Sequence, residues 1–179
     1  MVLCCARDAA LKTTGIKLEL LSDINTLFMI QKGIPGGTCV AVKRFAQANN
    51  KHIGDSYDSS KPSSFITYLD ANNLYGWAMS QELPTHRFEW MNDEELENWK
   101  NTPCILEVDL DCPDKLHDLH GDFPLAPEQV KVNKVNKLIP YLNGKKRYAV
   151  YYKNLKQYEE LGLSITKIYR GIKFEESRW

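Results

Sequence analysis

Phe65-Ile66-Thr67-Tyr68-Leu69-Asp70-Ala71-Asn72-Asn73-Leu74-Tyr75 joins an apolar run to an acid and a turn. Phe65 to Leu69 is nearly continuous in its hydrophobicity, which predicts a central strand covered on both faces. Asp70 stands at the carboxyl end of that run, ahead of a turn and a short helix from about Leu74 to Met79. A carboxylate at the end of a buried strand needs solvent, donors or a cation, because burying it unpaired is costly or shifts its pKa upward. A divalent metal would answer that need, since Mg²⁺ takes carboxylate, carbonyl and phosphate oxygens. The plainer alternative is that Asp70 caps the helix that follows.

Upstream of this stretch, Ala6 to Thr14 has helical character and stops at Gly15. Ile16 to Leu21 alternates as a half-buried strand would. Asp23 is placed to cap a helix carrying Ile24, Leu27, Phe28 and Ile30 that ends near Gly33. Pro35-Gly36-Gly37 breaks the chain before an apparent strand from Thr38 to Val42, and Ala46 to Ser64 is a polar loop or hairpin tip. Downstream, Asp93 to Trp99 predicts a helix with acids in its first turn, where the macrodipole favours them. Strands are expected from Cys104 to Leu110, from Tyr148 to Tyr152 and from Ile165 to Phe174. Pro113 to Pro127 is irregular, and Asn154 caps a helix that Gly162 stops. The whole is α+β, a mixed or antiparallel sheet with flanking helices, whose strands cannot close a compact sheet from local pairings alone.

With 43% hydrophobic and 26% charged residues, the 179-residue chain can build a folded core and is not of disordered type. Its apolar runs fall far short of the roughly 20 residues that span a bilayer, and Met1 to Cys5 is too short for a signal peptide. No membrane partner is expected. The five cysteines contain no Cys-x-x-Cys and suit reduced thiols in the nucleus or cytosol. The net charge of zero conceals a segregation. Twelve acids lie between Glu89 and Glu128 against Lys100 and Lys115 alone, whereas residues 131–156 carry Lys131, Lys134, Lys137, Lys145, Lys146, Arg147, Lys153 and Lys156 without an acid. One basic and one acidic patch are therefore expected.

The segment from Asp70 to Gly76 resembles the first polymerase motif of family B DNA polymerases, Asp-x-x-Ser-Leu-Tyr-Pro, with Asn73 for Ser and Gly76 for Pro. The wider run through Trp77-Ala78-Met79-Ser80-Gln81, Leu83-Pro84 and Phe88-Glu89-Trp90 looks like the protein-primed members carried by Polinton (Maverick) transposons and related viral or linear-plasmid elements. Gly36-Gly37 resembles the Tyr-x-Gly-Gly/Ala element between exonuclease and polymerase domains, with Ile34 at the tyrosine position. The basic, tyrosine-rich stretch Tyr148 to Lys156 and the run from Leu161 to Phe174 are similar to the region between the first motif and the fingers.

The resemblance implies a partial polymerase palm: residues 1–45 lead in, 65–90 carry the motif, and 91–179 precede the fingers. It implies a DNA-directed DNA polymerase working by two-metal phosphoryl transfer, with Mg²⁺ ions about 3.5–4 Å apart. Asp70 would hold both ions and the Ala71 carbonyl one. Leu74 and Tyr75 would bind the incoming dNTP, Tyr75 as a steric gate against a ribose 2′-hydroxyl. Gly36, Gly37, Lys145, Lys146 and Arg147 would contact the DNA primer–template, and a terminal protein would be a further partner. Plasmid-type relatives add the mitochondrion to the expected compartments. The second catalytic motif, Tyr-x-Asp-Thr-Asp-Ser, is absent, as are the fingers motif, an exonuclease signature and room for a thumb. The expectation is a fragment inactive alone, or else a remnant serving as a DNA- or protein-binding module. Asp109-Leu110-Asp111 is expected to be a solvent-facing acidic edge rather than the missing carboxylates. Cys112, His117 and His120 have zinc-like spacing but no fourth ligand.

Overall fold

The computed structural model describes residues 2–178. Its helices are α1 (Val2–Thr14), α2 (Ile24–Lys32), α3 (Leu74–Met79), α4 (Asp93–Glu97), α5 (His117–His120) and α6 (Tyr152–Glu160). Its strands are β1 (Leu83–Trp90), β2 (Cys104–Asp111), β3 (Glu128–Val132), β4 (Val135–Ile139), β5 (Lys145–Tyr151) and β6 (Ser164–Ser177). Four of them form an antiparallel sheet in the order β1-β6-β2-β5, and β3 and β4 form a separate hairpin. The α+β class with an antiparallel sheet and flanking helices is as expected.

Most predicted element ends hold for identifiable reasons. The Asp23 carboxylate accepts the Thr26 N–H at 2.7 Å and caps α2. Asn92 and Glu95 form a reciprocal capping box at the start of α4. Gly162 ends α6 with φ +99°, a left-handed conformation that a side chain disfavours. Asn154 is not a cap. Strand β5 runs into α6 with no loop between them, so the cap position falls at Tyr151 and Asn154 lies inside the first turn.

The sheet is built on β2. From Cys104 to Leu110 every residue is buried, because β2 has a strand on each side and a layer on each face. Leu106, Val108 and Leu110 face one layer with Tyr148, Val150, Leu155, Leu163 and Trp99. Ile105 faces the other with Met29 of α2, Ala149, Ile172 and Phe174. Apart from Met29, all the buried hydrophobic residues of the described chain lie at Met91 or beyond.

Three strand expectations fail in the first half. Phe65 to Leu69 is neither a strand nor buried; Tyr68 and Leu69 are 91% and 86% exposed. A strand needs a neighbour to satisfy its N–H and C=O groups, and here none pairs with it. Ile16 to Leu21 is irregular, tied to β1 through a bond from the Glu19 N–H to the Thr85 carbonyl at 2.8 Å. Thr38 to Val42 is likewise unpaired. The central, doubly covered strand is therefore Cys104–Asp111.

Candidate nucleic-acid interface

Two acids sit within the buried run of β2 on the face that carries Ile105. Glu107 is 3% and Asp109 5% exposed, so Asp109 belongs to no solvent-facing acidic edge; only Asp111, at the strand end, is exposed. The flanking strands supply the compensation that buried carboxylates require. Lys32 Nζ lies 3.1 Å from Glu107 Oε1, Arg170 Nε 2.8 Å from Oε2, and Arg147 Nη1 3.6 Å from Oε2. Asp109 accepts from the Arg147 backbone N–H at 2.8 Å, Lys146 Nζ at 3.0 Å and the Tyr169 hydroxyl at 3.1 Å.

Irregular pairing explains how so many long side chains reach one face. Opposite Val108 and Leu110, β5 supplies Tyr148 and Lys145, so Lys146 and Arg147 together oppose Asp109. Arg147 takes φ +48°, the turn of a β-bulge that re-aims a side chain. On the other side β6 pairs Arg170 with Glu107 and Lys167 with Asp109, leaving Tyr169 as the extra residue near that level. The Arg147 guanidinium then lies 4.3 Å from the centre of the Tyr169 ring, and Lys167 Nζ 4.5 Å. Arg170 lies 5.2 Å from the ring centre of Trp90 on β1.

The electrostatics favour ionised acids beneath exposed bases. Burial alone would push Glu107 up, but hydrogen bonds from Lys32 and Arg170 and their charges hold its carboxyl below the usual glutamate range. The Arg147 backbone N–H, with Lys146 and Tyr169, does the same for Asp109 against desolvation. Lys146 and Arg147 present 79% and 61% of their side chains to solvent. Five cations (Lys32, Lys146, Arg147, Lys167 and Arg170) thus surround two buried carboxylates, with Asp111 at the margin. The surplus is positive and faces outward, the pattern that binds phosphates.

Sequence reasoning singled out Lys146 and Arg147 but missed Lys32, Lys167, Tyr169, Arg170 and Trp90. The signal available was the alternation Lys167-x-Tyr169-Arg170 along a strand, which means little without the register to β2. Lys145 is placed apart from its neighbours. It is buried, with Nζ 3.0 Å from the Tyr141 carbonyl, 3.0 Å from the Tyr141 ring centre and 3.8 Å from Glu128. Desolvation lowers its pKa to about 8. Gly36 (φ +92°) and Gly37 follow Pro35, whose carbonyl accepts from Gln129 Nε2 at 3.1 Å. Pro35 also lines a groove of about 270 Å³ with Lys32, Lys146 and Arg147, so the glycine pair adjoins the basic face.

The motif residues lie elsewhere. Asp70 and Ala71 are exposed, and Asp70 makes no hydrogen bond or ion pair with any described residue. Asp70 does not cap α3 either: Asn73 holds the cap position at φ +53°, without a side-chain bond. Leu74 and Tyr75 are exposed in the first turn of α3. Among the described residues no three His, Cys, Asp or Glu gather as a metal group. One carboxylate and one carbonyl are too few oxygens for a two-ion Mg²⁺ site, so these residues do not complete one. His117 Nε2 meets the Cys112 carbonyl at 3.1 Å and His120 Nε2 the Leu161 carbonyl at 2.9 Å, tying loops rather than converging on an ion. Cys39, Cys104 and Cys112 are free thiols. No described helix is long and apolar enough to cross a membrane.

No family model, curated protein or solved structure matches the chain.

Proposed function

We propose that this chain is a nucleic-acid-binding part of a protein-primed family B DNA polymerase, holding the DNA backbone on its basic sheet face. The observation that carries the binding is the pair of buried carboxylates, Glu107 and Asp109, that orient Lys32, Lys146, Arg147 and Arg170 toward solvent. Guanidiniums fixed in this way meet phosphate oxygens with little further ordering. The polymerase assignment is supported by Asp70, Leu74 and Tyr75 at the motif spacing. In that setting the primer–template lies on the basic face and dNTPs and a terminal protein are the other partners. Catalysis needs carboxylates that this chain does not bring beside Asp70, so the chain alone binds without extending a primer.

A second reading has one observation in its favour: Asp70 is exposed and unpartnered, as in a binding module that does no chemistry. Two measurements test what both readings require, DNA binding by the basic face without primer extension. Anisotropy with labelled DNA should show binding that weakens steeply with salt and falls in an Arg147→Ala/Arg170→Ala variant; salt-independent binding, or none at low salt, refutes the interface. Primer extension with Mg²⁺ and dNTPs should be absent. Robust extension surviving Asp70→Ala would refute the role given to Asp70.

A further inference from the structure

We infer that the basic face takes single-stranded nucleic acid, with unpaired bases stacking on two guanidinium–aromatic platforms, Arg147 on Tyr169 and Arg170 on Trp90. This rests on the reading of that face as a nucleic-acid contact and adds to it which form of nucleic acid is held. The platforms are 4.3 Å and 5.2 Å pairs, and both guanidiniums converge on the same Glu107 Oε2, at 3.6 Å and 2.8 Å. A guanidinium held beside a ring and drawn to a carboxylate, by a hydrogen bond for Arg170 and by charge for Arg147, is restrained in its orientation. Its outer face is then a flat, cationic stacking surface.

The underside of each platform is already occupied. Arg147 and Lys167 both lie against Tyr169, whose hydroxyl is held by Asp109, so a base meets the Arg147 plane rather than the phenol. Trp90 keeps 40% of its surface exposed beside Arg170 and adds an indole edge to the second platform. Trp90 is opposite Ile172 on β6, three positions from Tyr169. The two guanidiniums share one carboxylate oxygen, at 3.6 Å and 2.8 Å, so the platforms lie side by side, within reach of neighbouring bases of one strand. One strand can therefore place a base on each, with Lys32, Lys146 and Lys167 left for the phosphates.

A duplex cannot use these surfaces, because its bases are stacked on one another and present only edges in the grooves. Nor does a described helix shield them: α2 covers the apolar end of this face at Ile105, Ile172 and Phe174 and stops at Lys32, which touches Glu107. Phosphate charge alone would need the cations but not the aromatic rings beside the two guanidiniums.

The decisive experiment compares, at one salt concentration, a short oligothymidylate, an abasic strand with the same number of phosphates, and a duplex of the same length. The wild-type chain should bind the oligothymidylate at least about tenfold more tightly than the abasic strand. The double variant Arg147→Lys/Arg170→Lys, which keeps the charge and loses the planes, should bind both strands alike. Trp90→Leu should lose part of the preference, with its cooperative melt confirming that it folds. Equal wild-type affinity for normal and abasic strands, or tighter binding of the duplex, overturns the stacking inference and leaves the phosphate interface standing. Failure to bind any of the three overturns the interface as well.

Discussion

Glu107→Gln is the most informative single substitution. It keeps the shape and one acceptor but removes the charge that Lys32, Arg147 and Arg170 share. Breaking a fully buried ion pair costs about 3–5 kcal/mol. The carboxylate here is 3% exposed but its three partners are about half exposed, so solvent screens them and the expected loss is about 2 kcal/mol. With a urea slope of about 2 kcal/mol/M, the midpoint should fall by roughly 1 M at pH 7. The pH dependence supplies the check on cause. Glu107 titrates below its unfolded value of about 4.3, so its contribution is fully present above that value and is lost as pH falls through the folded value. Wild type and variant should therefore converge in acid. Urea melts at pH 7 and near pH 3 test this. A loss under about 0.5 kcal/mol at pH 7, or one that persists undiminished in acid, refutes the account of Glu107 as the charged centre of the face.

Four further outcomes follow from other parts of the molecule. Lys145 titrates near 8 when folded and near 10.4 when unfolded, so the unfolded chain binds more protons between them and stability should rise with pH across that window; Lys145→Met should abolish the rise in urea melts. Gly171→Ala would put a methyl 2.6 Å from Leu106 Cδ2 and 2.7 Å from Met91 Sδ, so denaturation should show a loss of about 1–2 kcal/mol. Lys146→Ala should lower the slope of log affinity against log salt by about 0.7 for single strands, with little change in melting. Limited proteolysis should cut first within residues 38–73, whose described backbone is largely unpaired apart from the Asn49–Ser64 bridge and its adjoining turns, leaving β1 to β6 intact; first cuts inside β2 or β6 would contradict this.

The basic face also shows why charge segregation in a sequence need not survive folding. Acids between Glu89 and Glu128 and bases between Lys131 and Lys156 read as two patches. Antiparallel pairing of β2 with β5 lays Asp109 against Lys146 and Arg147, so these charges meet at the sheet centre, whereas Asp93, Glu94, Glu97, Asp114, Asp118 and Asp122 stay exposed. Lys145, Lys146 and Arg147 are adjacent in sequence, yet a bulge sends the first into the interior and the others outward. Adjacent lysines look alike in sequence because the extra residue of a bulge leaves no compositional mark.

Local chemistry was enough for the punctuation of the fold: the Asp23 cap, the acids opening α4, the stop at Gly162, and the strand nature of the segments around Cys104, Tyr148 and Ile165. These features depend on contacts within a few residues. Phe65 to Leu69 and Cys104 to Leu110 are both hydrophobic runs ending in or near an aspartate, and nothing local ranks one above the other as the central strand. Pairing between segments distant in sequence does so: β5 and β6 flank Cys104–Asp111 and leave Phe65 to Leu69 exposed. The interface has the same origin. Lys32, Glu107, Arg147 and Arg170 come together through long-range register, which the order of side chains along the chain does not encode locally.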